Sequence, residues 1–275
     1  MTEYYYILSS MPDLDLEKRP SEEALEEAIE LILRQIQDED RESLAWFFRR
    51  NDLYNLIEFW QFEYGHLLHR PLRKPYSLDQ EKLKNLRLEP EVLPTFLQEW
   101  YRENQESMGH WSANRIETEV HKLFFDAIEA LPPSFIRDYF LFEKEMRAFM
   151  ATYHQSRYSF LDPEVQWLNR EISQGLHKKP VQLSPSLQLE KPWLDKLLKA
   201  LDSKEPKGIS LAVHQVLWAK ADELSTAHYF DLTALLNYCA KLFLLYRREQ
   251  LSENRKEARL QALVDEALQN ISQHD

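Results

Sequence analysis

The sequence predicts an all-α protein, and three features carry that prediction. Apolar residues recur at helical spacing through most of the 275 residues. Glycine is scarce: Gly65, Gly109, Gly175 and Gly208 are the only four, and no two lie close together. β-Hairpin turns and the glycine-rich turns of nucleotide-binding α/β folds both draw on glycine, so both are disfavoured. Ser, Asp and Pro stand just ahead of the periodic runs, where helices start.

In chain order, Tyr4 to Ser10 is an aromatic and aliphatic run ending at Met11-Pro12, and it fits a short strand or a first helical turn. From Ser21 a helix is expected. Ser21 can cap it, Glu22 and Glu23 suit the dipole of its first turn, and Leu25, Ala28, Ile29, Ile32, Leu33 and Ile36 form its apolar face. Asp40 can cap the next segment, rich in Trp46, Phe47 and Phe48, with Asn51 read as a break and restart. Leu53, Leu56, Ile57, Trp60, Tyr64 and Leu67 then make a broad face that ends before Arg70-Pro71. Ser77-Leu78-Asp79-Gln80 fits a capping box. Pro90 or Pro94 opens a helix carrying Phe96, Leu97, Trp100 and Tyr101.

Ser112 can cap the longest periodic run, through Ile116, Val120, Leu123, Phe124, Ala127, Ile128 and Leu131, which Pro132-Pro133 stops. Ser134 reopens helix at once, with Phe135, Tyr139, Phe142, Met146, Phe149 and Tyr153 on one face. Two long helices joined by so tight a turn should form an antiparallel hairpin. Asp162-Pro163-Glu164 is a helix start, with Gly175 as its stop.

Residues 176–192 are the expected linker, with Pro180, Pro185 and Pro192 amid Ser and Gln and no clear periodicity. Beyond it helices are expected through Trp193, Leu194, Leu197 and Leu198, and through Ile209, Val213, Leu217 and Leu224. Leu232, Leu235, Leu236, Cys239, Leu242, Phe243 and Tyr246 mark a penultimate helix, and Leu260, Leu263, Val264, Leu268 and Ile271 the last. Roughly ten helices and at most one short strand follow. Helices on both sides of the linker carry apolar faces that need partners, so one elongated body over 1–275 is expected, with possible lobes at 1–110, 111–175 and 193–275.

Composition narrows the function. Hydrophobic residues make up 44% and aromatics 12%, ample for a core. A net charge of −12 has the wrong sign for broad nucleic-acid binding. The basic stretch His69-Arg70-Pro71-Leu72-Arg73-Lys74 reads as a solvated loop. No run approaches ~18 uninterrupted apolar residues, so no membrane span is expected. Met1-Thr2-Glu3-Tyr4-Tyr5-Tyr6 lacks the charged-then-apolar pattern of a secretory signal, which makes the cytoplasm the expected location. Cys239, the only cysteine, reads as a small buried hydrophobe.

Chemistry-bearing patterns are thin. Carboxylate-bridged dimetal bundles need two Glu-x-x-His pairs, and Glu63-Tyr64-Gly65-His66 is the only one. His66 and His69 could share a helix face, but the zinc-protease pattern His-Glu-x-x-His is absent. A bundle metalloenzyme built on Glu63 and His66 therefore has the least support. There is no nucleophile elbow, phosphate-binding glycine loop or kinase signature, and the serines sit where caps belong. Glu143 and Glu145, two apart, point to different sides of a helix, whereas Glu143 and Arg147 have the spacing of an intrahelical ion pair. The 7 Trp, 13 Tyr and 14 Phe read as interhelical packing, any excess on an outer face marking a partner surface. No catalytic, cofactor-binding or metal-binding residue is assigned, and the protein is read as a non-enzyme.

Three passages resemble the central-stalk socket protein of V/A-type rotary ATPases, the C-type component of archaeal and bacterial complexes and the d-type of eukaryotic ones. Phe47-Phe48-Arg49-Arg50-Asn51-Asp52-Leu53-Tyr54-Asn55-Leu56 is similar to a recurring element of that component. Phe135-Ile136-Arg137-Asp138-Tyr139-Phe140-Leu141-Phe142-Glu143 to Arg147 resembles a second copy, with Glu143-Lys144-Glu145-Met146 where Asn-Leu would be expected. Phe230 through Leu236-Asn237-Tyr238-Cys239-Ala240-Lys241-Leu242 to Arg248 resembles its closing helices. The opening Tyr4-Tyr5-Tyr6-Ile7-Leu8-Ser9-Ser10-Met11-Pro12, with most of the chain, is similar to an uncharacterised bacterial family whose genes tend to lie beside those of V/A-type ATPase subunits.

The resemblance implies a funnel of related helical lobes, a socket that couples the central shaft to the membrane rotor ring in proton or sodium transport. The chain would then be a subunit or accessory factor, peripheral to the inner membrane through the complex. Asn55, Glu143 and Arg147 would be structural, capping or tying helices. The competing reading is an unrelated cytoplasmic helical adaptor that binds a partner helix.

Overall fold

The computed structural model describes residues 4–18, 20–66, 71–158 and 185–250. Helices account for all the regular structure among them, and no strand occurs there. The opening run, open between strand and helix from its sequence, is a short helix α1 (Tyr5–Ser10), held by Tyr4 N–H donating to Phe230 O at 2.9 Å. Next comes α2 (Glu22–Gln35), whose cap Ser21 accepts from Ala24 N–H at 3.2 Å.

The central element is α3 (Arg41–Glu63), one unbroken helix of 23 residues. Asn51 neither breaks nor restarts it: its side-chain amide reaches sideways to Pro75 O at 2.9 Å, so nothing competes with the helix backbone. Asp40 precedes α3 but does not cap it, because its carboxylate accepts the Tyr4 hydroxyl instead. Buried residues recur all round α3, as in a helix packed on every side. It stops at Gly65, whose φ of +75° suits a residue without Cβ and lets Gly65 N–H close onto Phe62 O at 2.9 Å.

After α3 come α4 (Gln80–Lys84), α5 (Thr95–Asn104), α6 (Ala113–Glu129) and α7 (Phe135–Tyr158). Asp79 caps α4 by accepting from Lys82 N–H at 2.9 Å, while Ser77, expected in that role, gives its hydroxyl to Asp52. Both candidate prolines are used: Pro90 opens a 3-10 turn, and Pro94 immediately precedes α5. Ser112 caps α6 and Ser134 caps α7, accepting from Arg115 and Arg137 N–H at 3.1 and 3.3 Å. The two form the expected hairpin: Arg137 reaches Glu129 O beside the turn, and Phe124 packs on Phe140 deeper in, at 5.4 Å between ring centroids.

Of the expected linker, 176–184 lie outside the described residues, whereas Pro185–Glu190 forms a short helix, α8. The chain continues through α9 (Trp193–Ser203), α10 (Pro206–Leu224) and α11 (Leu232–Gln250). The helices expected at 162–175 and 260–271 lie outside the described residues. No described helix is long and apolar enough to cross a membrane.

Packing crosses the proposed lobe divisions. α3 packs on α6 and α11, α7 on α6, α10 and α11, and α11 also on α2. Aromatics fill the junction: Phe47 lies 5.4–6.0 Å from the rings of Tyr139, Phe140 and Phe243, and Trp46 lies 5.9 Å from Phe124. The Phe124 side chain is wholly buried there. Phe124→Ala should therefore destabilise the protein by about 3–5 kcal/mol. Leu88→Ala, at a position 82% exposed, should cost under about 0.5 kcal/mol. Urea unfolding checks both, the first through a lowered midpoint.

Candidate functional site

Four arginines from three helices and a loop converge on one tyrosine. Arg50, Tyr54 and Glu58 follow at intervals of four along α3, so they share one face. Glu143 and Arg147 are likewise paired on α7, His121 and Glu117 lie on α6, and Arg247 lies near the end of α11. Arg73 comes from the loop after α3. That loop is fastened to the side of the helix by polar residues that also serve as its rungs. Asn55 accepts from Arg73 N–H at 2.7 Å and donates to Arg73 O at 3.1 Å; Asp52 accepts from the N–H groups of Ser77 and Leu78 at 2.9 and 3.0 Å. Arg73 is thus a fixed, half-buried member of the cluster and not the solvated residue expected from its sequence.

The four guanidinium carbons lie 4.3 Å (Arg50), 4.2 Å (Arg73), 5.4 Å (Arg147) and 5.7 Å (Arg247) from the Tyr54 ring centroid. Cation–π attraction favours each position individually but does nothing for the repulsion among four like charges. Carboxylates supply part of the compensation. Arg50 donates to Glu143 through Nη2 at 2.6 Å and Nε at 3.1 Å, and to the Tyr54 hydroxyl at 2.8 Å. Arg147 Nε donates to the same Glu143 oxygen at 2.9 Å, and Arg73 pairs with Glu58.

Burial alone would raise the Glu143 carboxyl, but the charge and hydrogen bonds of Arg50 outweigh it and hold the group below the usual carboxylate range. Burial, Arg50 and Arg247 all press Arg147 towards losing its proton. A guanidinium keeps that proton in a folded protein, so the pressure persists as unfavourable charge energy. Burial and Arg50 push His121 down, and its Nδ1 lies 3.5 Å from Arg50 Nη1, which suits a neutral ring accepting at that nitrogen.

The structure places the other sequence candidates elsewhere. The intrahelical Glu143–Arg147 pair forms as expected, but the principal partner of Glu143 is Arg50, 93 residues earlier. Glu145 pairs with Lys191. His66 is exposed at the end of α3 with Nε2 2.9 Å from Trp111 O, while His69 lies outside the described residues. Among the described residues no three His, Cys, Asp or Glu side chains gather as a metal site would need. Cys239 is buried, and desolvation pushes its thiol up, away from reactivity. Sequence reasoning missed Arg50, Tyr54, Arg73 and Arg247. The available signal was an arginine set among the core residues Phe47 and Leu53, with Tyr and Glu following at four-residue steps.

Two surface features accompany the cluster. A cavity of about 540 Å³ opens between α3, the end of α2 and residues 91–98, walled by Leu33, Leu44, Phe48, Val92 and Leu93 and flanked by Arg41 and Arg49. Tyr6 and Tyr229 expose their side chains beside Tyr5, whose ring meets Phe230 at 4.8 Å.

Glu143→Gln should cost about 3–5 kcal/mol in urea unfolding, because Arg50 and Arg147 would lose their shared counter-charge inside the protein. A second outcome concerns His214, buried beside Arg247 and Arg248 with Nε2 unpartnered among the described residues. Burial first, then the two arginines, push it down to about 4. With the folded value below the unfolded one, its contribution is full above about pH 6.5 and is lost as pH falls towards 4. Stability should drop across that window, and His214→Gln should flatten the drop in urea titrations at pH 7 and pH 5.

The family model described as "Protein of unknown function (DUF2764)" matches residues 1–271, and the chain belongs to that family. It is also similar to an uncharacterized protein of Chlamydia muridarum (strain MoPn / Nigg), 22% identical over 269 residues that cover 90% of this chain and 92% of that one. No solved structure matches.

Proposed function

We propose that this DUF2764 family member is a non-enzymatic binding component of a V/A-type rotary ATPase, as a subunit or accessory factor of its central stalk. One observation carries the reading. The three passages that resemble the central-stalk socket protein, 47–56, 135–147 and 230–248, pack onto one another through Phe47, Tyr139, Phe140 and Phe243, and Arg50 of the first grips Glu143 of the second. A socket between a shaft and a rotor ring must resist twisting. Helices tied across long stretches of sequence by packed rings and a buried ion pair suit that work. The cluster is built from arginines, which hold their protons at neutral pH and so are suited to holding charge and not to acid–base turnover.

The cavity of about 540 Å³ supports the second reading, a cytoplasmic adaptor. Its apolar walls could take the anchor side chain of a partner helix, with Arg41 and Arg49 beside acidic residues of that helix.

Native co-purification of the tagged protein from its own host, with membranes gently solubilised, separates the two readings. V/A-type ATPase subunits in near-equal amounts are expected for a rotor component peripheral to the inner membrane. Small amounts confined to biogenesis would make it an accessory factor. Absence of every ATPase subunit at low salt would overturn the ATPase reading and leave the adaptor.

A further inference from the structure

Among the described residues the charges around Tyr54 do not balance. Four guanidiniums, of Arg50, Arg73, Arg147 and Arg247, meet two carboxylates, of Glu58 and Glu143. Glu117, half-exposed and 3.6 Å from His121, adds a third negative charge that acts on Arg73 and Arg50 from further away, and one guanidinium remains in excess among the described residues. Glu143 is committed to Arg50 and to Arg147 Nε. Arg247 makes no hydrogen bond or ion pair with any described residue; its contacts are the Tyr54 face and the longer-range pull of Glu143. Behind it, Arg248 Nη1 and His214 Nε2 are buried with no hydrogen-bond partner among the described residues. Buried guanidiniums in folded proteins are paired with counter-charge, so arginines left short of it among the described residues, in one partly dry place, are suited to receive an anion.

We propose that Arg73, Arg147 and Arg247 form, around the ring of Tyr54, a binding site for a phosphate group. A phosphate group supplies negative charge to arginines that are short of it, and the flat fork of a guanidinium matches its oxygens in paired hydrogen bonds. Arg73 and Arg147 keep 33% and 22% of their side chains exposed, so the site is open to a small solute yet dry enough for charge to count. Protein-wide charge does not produce this, since the chain carries −12 overall. The phosphate could be free or carried by a nucleotide, since the arginines read only the charged group.

The test is calorimetric titration of the intact chain with inorganic phosphate and, separately, with ADP, against chloride at matched ionic strength. Wild type should bind with saturation. Arg247→Gln and Arg73→Gln should each weaken binding at least about tenfold, as expected for loss of charge-assisted hydrogen bonds. Arg34→Gln, at an exposed surface pair, should change nothing. Arg73→Gln alters a loop residue, so it remains informative if Arg247→Gln fails to fold. Equal affinity for the two probes would identify free phosphate as sufficient, and tighter ADP binding would identify a nucleotide as the carrier. No saturable binding beyond the chloride control, or binding unchanged in the folded variants, would overturn the proposal. The isolated chain is used, so the result is independent of which proteins co-purify.

Discussion

Glu143 is a carboxylate inside the protein that accepts hydrogen bonds from Arg50 on α3 and Arg147 on its own helix, and the arrangement of the central helices depends on it. Such a pair is not a large net source of stability, since an apolar pair of similar shape could replace it at little cost. Its effect is positional. Once the rings of Phe47, Phe124 and Phe140 have closed round the junction, a shift of α3 along α7 by one turn would strand a charge in a dry environment. Aromatic packing tolerates small slips and charge pairing does not, so the two together define one register.

The same economy governs the outer side of α3. Asn51, Asp52 and Asn55 are polar residues in a helix interior, where they contribute little to helix formation. Each spends its side chain on the loop that follows: Asn51 on Pro75 O, Asp52 on Ser77 and Leu78, Asn55 on Arg73. The loop thereby becomes part of the body and delivers Arg73 to Tyr54. Burial raises the Asp52 carboxyl, and the Ser77 and Leu78 hydrogen bonds only partly counter it, so this acid serves as an acceptor for loop amides in a sheltered place.

The distribution of charge is uneven in a way that bears on binding. An acidic chain with net charge −12 directs several of its arginines inward, to a point where the carboxylates of the described residues do not fully balance them. An acidic exterior disfavours polyanions, so an inward-facing set of arginines is better suited to a compact anion than to an extended one. Apolar recognition lies elsewhere, in the cavity beside Phe48 and Leu44 on another side of α3.

What the sequence by itself determined was local. Helical periodicity, the caps at Ser21, Ser112 and Ser134, the Pro132-Pro133 turn and the Glu143–Arg147 pair all involve residues within a few positions of each other, so their physics is complete in a short segment. The readings that changed share the opposite property. Asn51 looked like a helix break, Asp40 a cap and Ser77 the start of a capping box, because a polar residue beside a helix serves its own backbone unless something distant takes it. Here Pro75, Tyr4 and Asp52 are what take them. The arginine cluster is the extreme case, since Arg50 and Glu143 stand 93 residues apart and Arg247 arrives from the last described helix. Only the tertiary structure decides that these charges meet, because the energy that pairs them exists only after packing has removed the water between them.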